Sequence, residues 1–167
     1  MRRLIIMALL ATFAFVVTPA QAAMAACPEV GDVYYSFSNV TTSRLLSNLR
    51  SDYLKGPGTI TYTKTTTGTV SGSVTGTASA EAGVIFAKAS VSIGITVGYS
   101  WAKTDTWSYA KPVPSGKTAR LVMWHESRKM TVTKKQIVAP CNVKTVWTRA
   151  AQAPIMANIN VWDLQYA

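Results

Sequence analysis

Histidine occurs once in this sequence, cysteine twice and acidic residues only seven times. Each scarcity excludes something. One histidine and two cysteines cannot fill a tetrahedral zinc site. A catalytic triad would need His125 beside a nucleophile and an acid. It stands instead between Trp124 and Glu126 in a strand-like run, where neighbouring side chains point to opposite faces, so the expectation is a polar group at the surface. The acids Glu29, Asp32, Asp52, Glu81, Asp105, Glu126 and Asp163 are scattered, which leaves no obvious pair for glycoside chemistry. Ser115-Gly116-Lys117-Thr118 is like the end of a phosphate-binding loop. Lys111 occupies the place of its first glycine, however, and no strand-to-helix context follows. The reading is a non-enzyme that takes no cofactor and no metal.

Long apolar runs are also few, and the clearest is at the start. Arg2 and Arg3 precede an apolar stretch from Leu4 to Val17, and Ala20-Gln21-Ala22 or Ala23-Met24-Ala25 offers a small-residue cleavage site. Residues 1–25 therefore read as a secretory signal peptide, too short to span a membrane, and 26–167 as one secreted domain. Removing the two arginines leaves 15 basic against 7 acidic residues, a net charge of +8. Basic residues are spread without a dense run, so nucleic acid is not an expected partner. An exported basic chain is drawn to anionic surfaces such as lipid headgroups or wall polymers, although the charge can equally serve solubility. In an oxidising compartment Cys27 and Cys141 most often form one structural disulfide, with free thiols or a metal pair as lesser alternatives.

What is abundant is alternation. From Thr59 to Ser79 every odd position is Ser or Thr, and the even positions from Val70 to Ala82 are Val, Gly or Ala. After a break at 81–86, Ala87, Ala89, Val91, Ile93, Ile95, Val97, Tyr99 and Trp101 form one face and Lys88, Ser90, Ser92, Thr96 and Ser100 the other. Such a long period of two indicates two-faced strands. The pattern predicts one long amphipathic hairpin over about 59–109. Gly83-Val84 would be its type II′ turn, and paired residue numbers would sum to 167. That register places Val70 opposite Val97, Val74 opposite Ile93 and Ala78 opposite Ala89. On the other face it places Ser71 opposite Thr96 and Thr75 opposite Ser92.

Elsewhere the pattern predicts a short strand within 28–40 and a helix from Thr42 or Ser43 to Leu54, with Leu45, Leu46, Leu49 and Tyr53 as its apolar stripe. Strands are expected over 118–126 and 129–138, separated by a turn at Ser127-Arg128, then over 143–148 and 155–162. Asn39-Val40-Thr41 matches the glycosylation sequon, a weak motif by itself.

The Ser/Thr-rich arm, the apolar tip Gly83-Val84-Ile85-Phe86, the aromatics Tyr99, Trp101, Trp107 and Tyr109 that follow the second arm, and the turn from Pro112 to Lys117 resemble the insertion module of aerolysin-like β-pore-forming proteins. The likeness to this epsilon-toxin and mosquitocidal-toxin group covers about 59–138 and rests on order and composition. It implies a mainly β fold, an elongated twisted antiparallel sheet with a long amphipathic hairpin, here with one short helix. The implied activity is oligomerisation on a lipid membrane, anionic lipid included, and insertion of the hairpins into a shared barrel. The spacing suits that: a membrane strand needs about 9–11 alternating residues. Val70, Val74, Ala78, Val91, Ile93, Ile95 and Val97 would then face lipid, with Val84, Ile85 and Phe86 at the tip. Ser71, Ser73, Thr75, Thr77, Ser79, Lys88, Ser90, Ser92 and Thr96 would line water, and Tyr99 and Trp101 would sit at the interface. The competing expectation is a non-lytic secreted β-protein that binds a cell-surface or wall component, its apolar face a permanent core.

Overall fold

The computed structural model describes residues 27–77 and 79–167, so the signal-peptide reading of 1–25 lies outside the described residues. Their elements are β1 (Val33–Arg50), β2 (Leu54–Lys55), β3 (Gly58–Ser71), β4 (Ser73–Val74), α1 (Ser79–Ile93), β5 (Ser100–Val113), β6 (Thr118–Val138), β7 (Asn142–Pro154) and β8 (Asn160–Tyr166). All pairings between these strands are antiparallel. Among the described residues the fold is mainly β with one helix, the class that the alternation predicts.

β6 is the spine. Along one edge it pairs with β1, from Val33↔Gln136 to Arg50↔Val122, and then with β2. Its other edge is shared by β8, opposite Ala119 to His125, and β7, opposite Ser127 to Val138. β4 adds to the outer side of β7. The expected turn at Ser127-Arg128 does not exist: β6 runs unbroken, and Ser127 is fully buried with its hydroxyl accepting from Gln152 at 2.9 Å. With ladder partners on both edges through these positions, the strand has no reason to reverse. The final strand begins at Asn160 rather than Ile155, because 155–159 form a loop.

Two apolar cores lie on the spine. The β3–β5 pair covers Ala119, Leu121 and Met123, adding Ile60, Val70, Trp101, Trp107 and Val113, with Leu49 and Trp162. α1 covers Met130 and Val132 through Ala82, Ile85, Phe86 and Ala89. Odd and even side chains of one strand point to opposite faces, so the hairpin and the helix occupy opposite faces at opposite ends of β6. Gly72 sits at the crossing point. A Cβ there would lie 2.7 Å from the Gln152 carbonyl oxygen, which only glycine avoids.

The helix is not where the sequence pattern placed it. Residues 42–54 belong mostly to β1, in which Leu45, Ser47 and Leu49 turn inward while Leu46 is 40% exposed. The full length of β6 offers this segment ladder hydrogen bonds, and tertiary pairing overrides the apparent helical stripe. The real helix takes 79–93. Its buried residues Ala82, Ile85, Phe86 and Ala89 follow a spacing of three, one and three, with Ile93 half-buried one turn on. Gly94, at φ +68°, provides the left-handed residue that ends it.

Cys27 and Cys141 form a disulfide, with Cα atoms 5.6 Å apart, that ties the start of the described chain to the β6–β7 turn.

Candidate membrane-inserting segment

A hairpin is present, in a different register. β3 pairs with β5 from Gly58↔Val113 to Ser71↔Ser100, so paired numbers sum to 171 and not 167. Val70 lies opposite Trp101, not Val97, and Ser71 opposite Ser100, not Thr96. The pairings of Val74 with Ile93 and of Thr75 with Ser92 are absent too, because Gly83-Val84 is helical and not a turn; Ala78 lies outside the described residues. A short turn at 83–84 would have required Ile85 and Phe86 at an exposed tip. Both are instead fully buried, and burial of two such side chains is worth about 3–6 kcal/mol.

The exposed face of the pair is a ladder of hydroxyls. Thr65 and Thr106 are 2.8 Å apart, Thr67 and Thr104 2.7 Å, and Thr63 and Ser108 3.3 Å. Between Ser71 and Ser100 the chain leaves the hairpin, adds β4 to the sheet, forms α1 and returns.

This excursion holds most of the expected membrane-facing residues, and the fold divides them. Val70, Val74, Ile85, Phe86 and Val97 are buried; Ile93 is half-buried; Val84, Val91 and Ile95 are exposed, Val91 to 87%. Ala78 lies outside the described residues. Of the expected water-lining set, Ser71, Ser73, Thr75, Ser79, Lys88, Ser92 and Thr96 are exposed, and Thr77 and Ser90 are half-buried. Tyr99 is exposed, whereas Trp101 is buried and stacked on His125 with ring centroids 4.1 Å apart.

Polar contacts hold α1 at both ends. Near its start, Glu81 accepts from Lys134 Nζ at 3.1 Å and from the Tyr35 hydroxyl at 3.3 Å. Lys134 also lies over the Tyr35 and Trp147 rings, and Lys88 over Tyr35. The hydrogen bond from Lys134 holds the Glu81 carboxyl below its ordinary range, and the same bond raises the Lys134 ammonium. Arg149 donates to the Gly76 carbonyl and the Thr77 hydroxyl just ahead of the helix. At the far end, the Ser90 hydroxyl accepts the Val97 N–H and lies 2.9 Å from the Val97 carbonyl. The sequence pattern pointed to none of these anchors. The helix itself left two signals: the spacing of Ala82, Ile85, Phe86 and Ala89, and the stop at Gly94.

His125 is buried and not at the surface. Its Nδ1 is 2.8 Å from Asn160 Oδ1 and its Nε2 2.8 Å from the Ile155 carbonyl, so the ring joins β6 to β8 and the 155–159 loop. Among the described residues no three His, Cys, Asp or Glu side chains converge, and none of the helices is long and apolar enough to cross a membrane. No protein-family model matches this chain, and no curated protein matches it.

Proposed function

We propose that this is a secreted β-pore-forming protein that oligomerises on a membrane and inserts residues 72–99 as a prolongation of the β3–β5 hairpin. One observation carries the reading: Gly72 N–H donates to the Tyr99 carbonyl at 2.6 Å, and 72 and 99 continue the 171 register one pair beyond β3 and β5. The hairpin has already begun to extend into the excursion.

Continuing that register across the excursion sorts every residue. Val74 meets Val97, Gly76 meets Ile95, Ala78 meets Ile93, Ala80 meets Val91 and Ala82 meets Ala89 on one face. Ser73 meets Gly98, Thr75 meets Thr96, Ser79 meets Ser92, Glu81 meets Ser90 and Gly83 meets Lys88 on the other. The turn falls at Ile85-Phe86. Each new arm has about 13 residues, roughly 43 Å long at about 3.3 Å per residue, which spans the hydrocarbon core of about 30 Å at a tilt near 45°. Closing several such hairpins into a barrel satisfies the backbone groups that a lone hairpin would leave unpaired in lipid. The disulfide agrees with an oxidising extracellular setting.

The cost is loss of the α1 core. Unburying Ile85 and Phe86 must be offset by lipid contact and by new inter-chain ladder bonds, so insertion requires both a membrane and neighbours. The same burial favours the second reading, a non-lytic secreted β-protein that binds a surface or wall component and keeps α1 folded. Dye release from liposomes by the chain lacking 1–25, followed by gel analysis for SDS-resistant oligomers, separates the two. Leakage with oligomers supports insertion; a monomer that leaves vesicles of every lipid mixture intact defeats it.

A further inference from the structure

The larger sheet carries two open edges side by side. Beyond Ser127, β6 pairs with β1 along one edge and with β7 along the other. Among the described residues no strand covers the outer edge of β1 over Val33 to Ser38. β4 reaches β7 only at Ala151 and Gln152, which leaves the outer edge of Asn142 to Thr148 open. The Asp32 carbonyl accepts from the Ile137 N–H at 3.0 Å, so the N–H of the same trans peptide unit, which belongs to Val33, points away from β6. Alternation along the strand turns the backbone groups of Tyr35 and Phe37 outward as well.

Natural sheets guard such edges with lysine, proline, brevity or a bulge. Val33-Tyr34-Tyr35-Ser36-Phe37-Ser38 has no charge and no proline in a chain with 17 basic residues, and its register stays regular until Ser38. On the β7 side, Val143 and Val146 are 55% and 47% exposed, and the one irregularity leaves Val146 without a partner on β6. The two edges stand at one height, because Val33 and Lys144 both lie opposite Gln136. β1 and β7 each run antiparallel to β6, so they run parallel to each other. A copy placed beside another without a shift along the strands therefore brings Lys144 on β7 against Asp32 and Glu29 at the start of β1. All three are exposed, and among the described residues none has an ion-pair partner.

We propose that a second copy of this chain occupies both edges, the outer edge of β7 in one molecule pairing with the outer edge of β1 in the next. The contact is heterologous, so each addition leaves one free edge of each kind until a ring closes. Every joint adds parallel ladder bonds between backbone groups that otherwise meet water, and it sets Lys144 against two carboxylates. A two-fold contact of β1 with β1 would leave the β7 edge and its lysine unused. An unrelated peptide could add to one edge, but it gives no reason for the other to stand at the same height with the opposite charge. The inference rests on the membrane-assembly reading above and deepens it, naming the residues through which copies meet, all of them outside 72–99.

The test uses the chain lacking 1–25, collected by flotation on vesicles of phosphatidylcholine with phosphatidylglycerol, solubilised in mild detergent and sized by light scattering, with dye release measured in parallel. Asp32→Lys and Lys144→Asp change exposed side chains, and circular dichroism and thermal midpoints report that each is folded. Each variant alone sets like charges across the joint and is expected to lose about tenfold or more of its oligomer. An equimolar mixture of the two can alternate opposite charges around a ring and is expected to recover it. A defect within one molecule would not be cured by mixing. Val33→Pro removes the outward N–H, leaves the β6 ladder intact and is expected to lose the oligomer without any change of charge. Loss in the variants with recovery in the mixture upholds the joint even if the wild type releases no dye, in which case only the pore reading fails. Wild-type oligomers and leakage in all three variants overturn the joint while the pore reading stands. A mixture no better than its components overturns it, as does normal assembly of Lys144→Asp alone, which would point to β1 meeting β1. A wild type that stays monomeric on every vesicle overturns both.

Discussion

Ser90 and Val97 are joined twice, the serine hydroxyl accepting the Val97 N–H at 2.9 Å and lying 2.9 Å from the Val97 carbonyl. One hydroxyl proton is shared between that carbonyl and the Phe86 carbonyl at 3.0 Å. The contact fastens the returning chain to the last turns of α1 and ends the excursion on the helix. Ser90→Ala leaves half-buried backbone groups without a partner, at about 1–3 kcal/mol. Chemical denaturation is expected to show that loss. If α1 must unwind for insertion, the same variant releases vesicle dye faster than wild type; slower release at equal binding would contradict the unwinding.

Val91 provides a sharper separation between the folded and inserted states. It is 87% exposed on α1, so Val91→Lys is expected to change the thermal midpoint little. In the prolonged hairpin it faces lipid halfway down an arm, where a lysine costs about 2–4 kcal/mol per subunit. Leakage should therefore vanish while stability and flotation persist. Ser92→Lys, one residue on and facing the lumen, is expected to keep leakage and to shift conductance toward anions. Equal behaviour of the two variants in leakage would rule out the 171 register in the membrane.

These two residues also show how far the sequence can be read. The alternation from Thr59 to Ser71 correctly indicates a strand with opposed faces, and β3 and β5 pair as a hairpin should, but the alternation beyond Ser79 falls on a helix. Yet the segment 82–93 satisfies two periods at once. Ala82, Ile85, Phe86, Ala89 and Ile93 form a helical stripe, while Ala87, Ala89, Val91 and Ile93 alternate. Nothing local decides between them; the core offered by Met130, Val132, Ala151 and Ala153 does. The same cause acted in reverse at Leu45, Leu46 and Leu49, where a stripe of helical spacing became strand because β6 is 21 residues long and needs a partner. The 167 register failed for a related reason. The alternation calls for a two-residue turn where the chain instead makes a detour of 28 residues between Ser71 and Ser100.

The Glu81–Lys134 pair should make the start of α1 sensitive to acid. Glu81 is held below its ordinary range in the fold, so its contribution to stability is present above the pKa of the unfolded chain. It is lost as pH falls through the folded value, below the usual carboxylate range. Lys134 is raised, so its share is complete below the ordinary lysine value and disappears only in strong alkali. Both side chains are partly exposed, which limits the pair to about 1 kcal/mol or less. Glu81→Gln is expected to lower the thermal midpoint slightly at neutral pH and to remove the corresponding part of the acid dependence. A variant with an unchanged acid profile would show that the pair contributes nothing.

The disulfide acts on the unfolded chain. Cys27 and Cys141 are 114 residues apart, and closing so long a loop is worth about 2–5 kcal/mol, mainly through lost entropy of the unfolded state. Cys27→Ala/Cys141→Ala should therefore lower stability by that order in denaturant. Residues 27–31 are otherwise attached to β6 chiefly by the Gly31 N–H bond to the Ile137 carbonyl at 2.9 Å, so protease cleavage near Val30 should appear first. Retained stability with early cleavage would assign the bond to anchoring the terminus alone.

His125 yields the last expectation, because its two ring nitrogens both meet oxygen. The Ile155 carbonyl only accepts, so Nε2 carries a proton; Nδ1 then either carries a second proton or receives one from the Asn160 side-chain amide turned by half a revolution. With the ring stacked on Trp101 and fully buried, His125→Ala leaves a cavity and frees both partners. A loss of about 2–4 kcal/mol follows. Asn160→Asp separates the alternatives. A carboxylate at 2.8 Å accepts from a protonated Nδ1 but has no proton to give to a bare one. With a doubly protonated ring it should leave the stability near neutral pH largely intact. If Asn160→Asp destabilises as much as His125→Ala, the amide donates in the wild type and the buried ring is neutral.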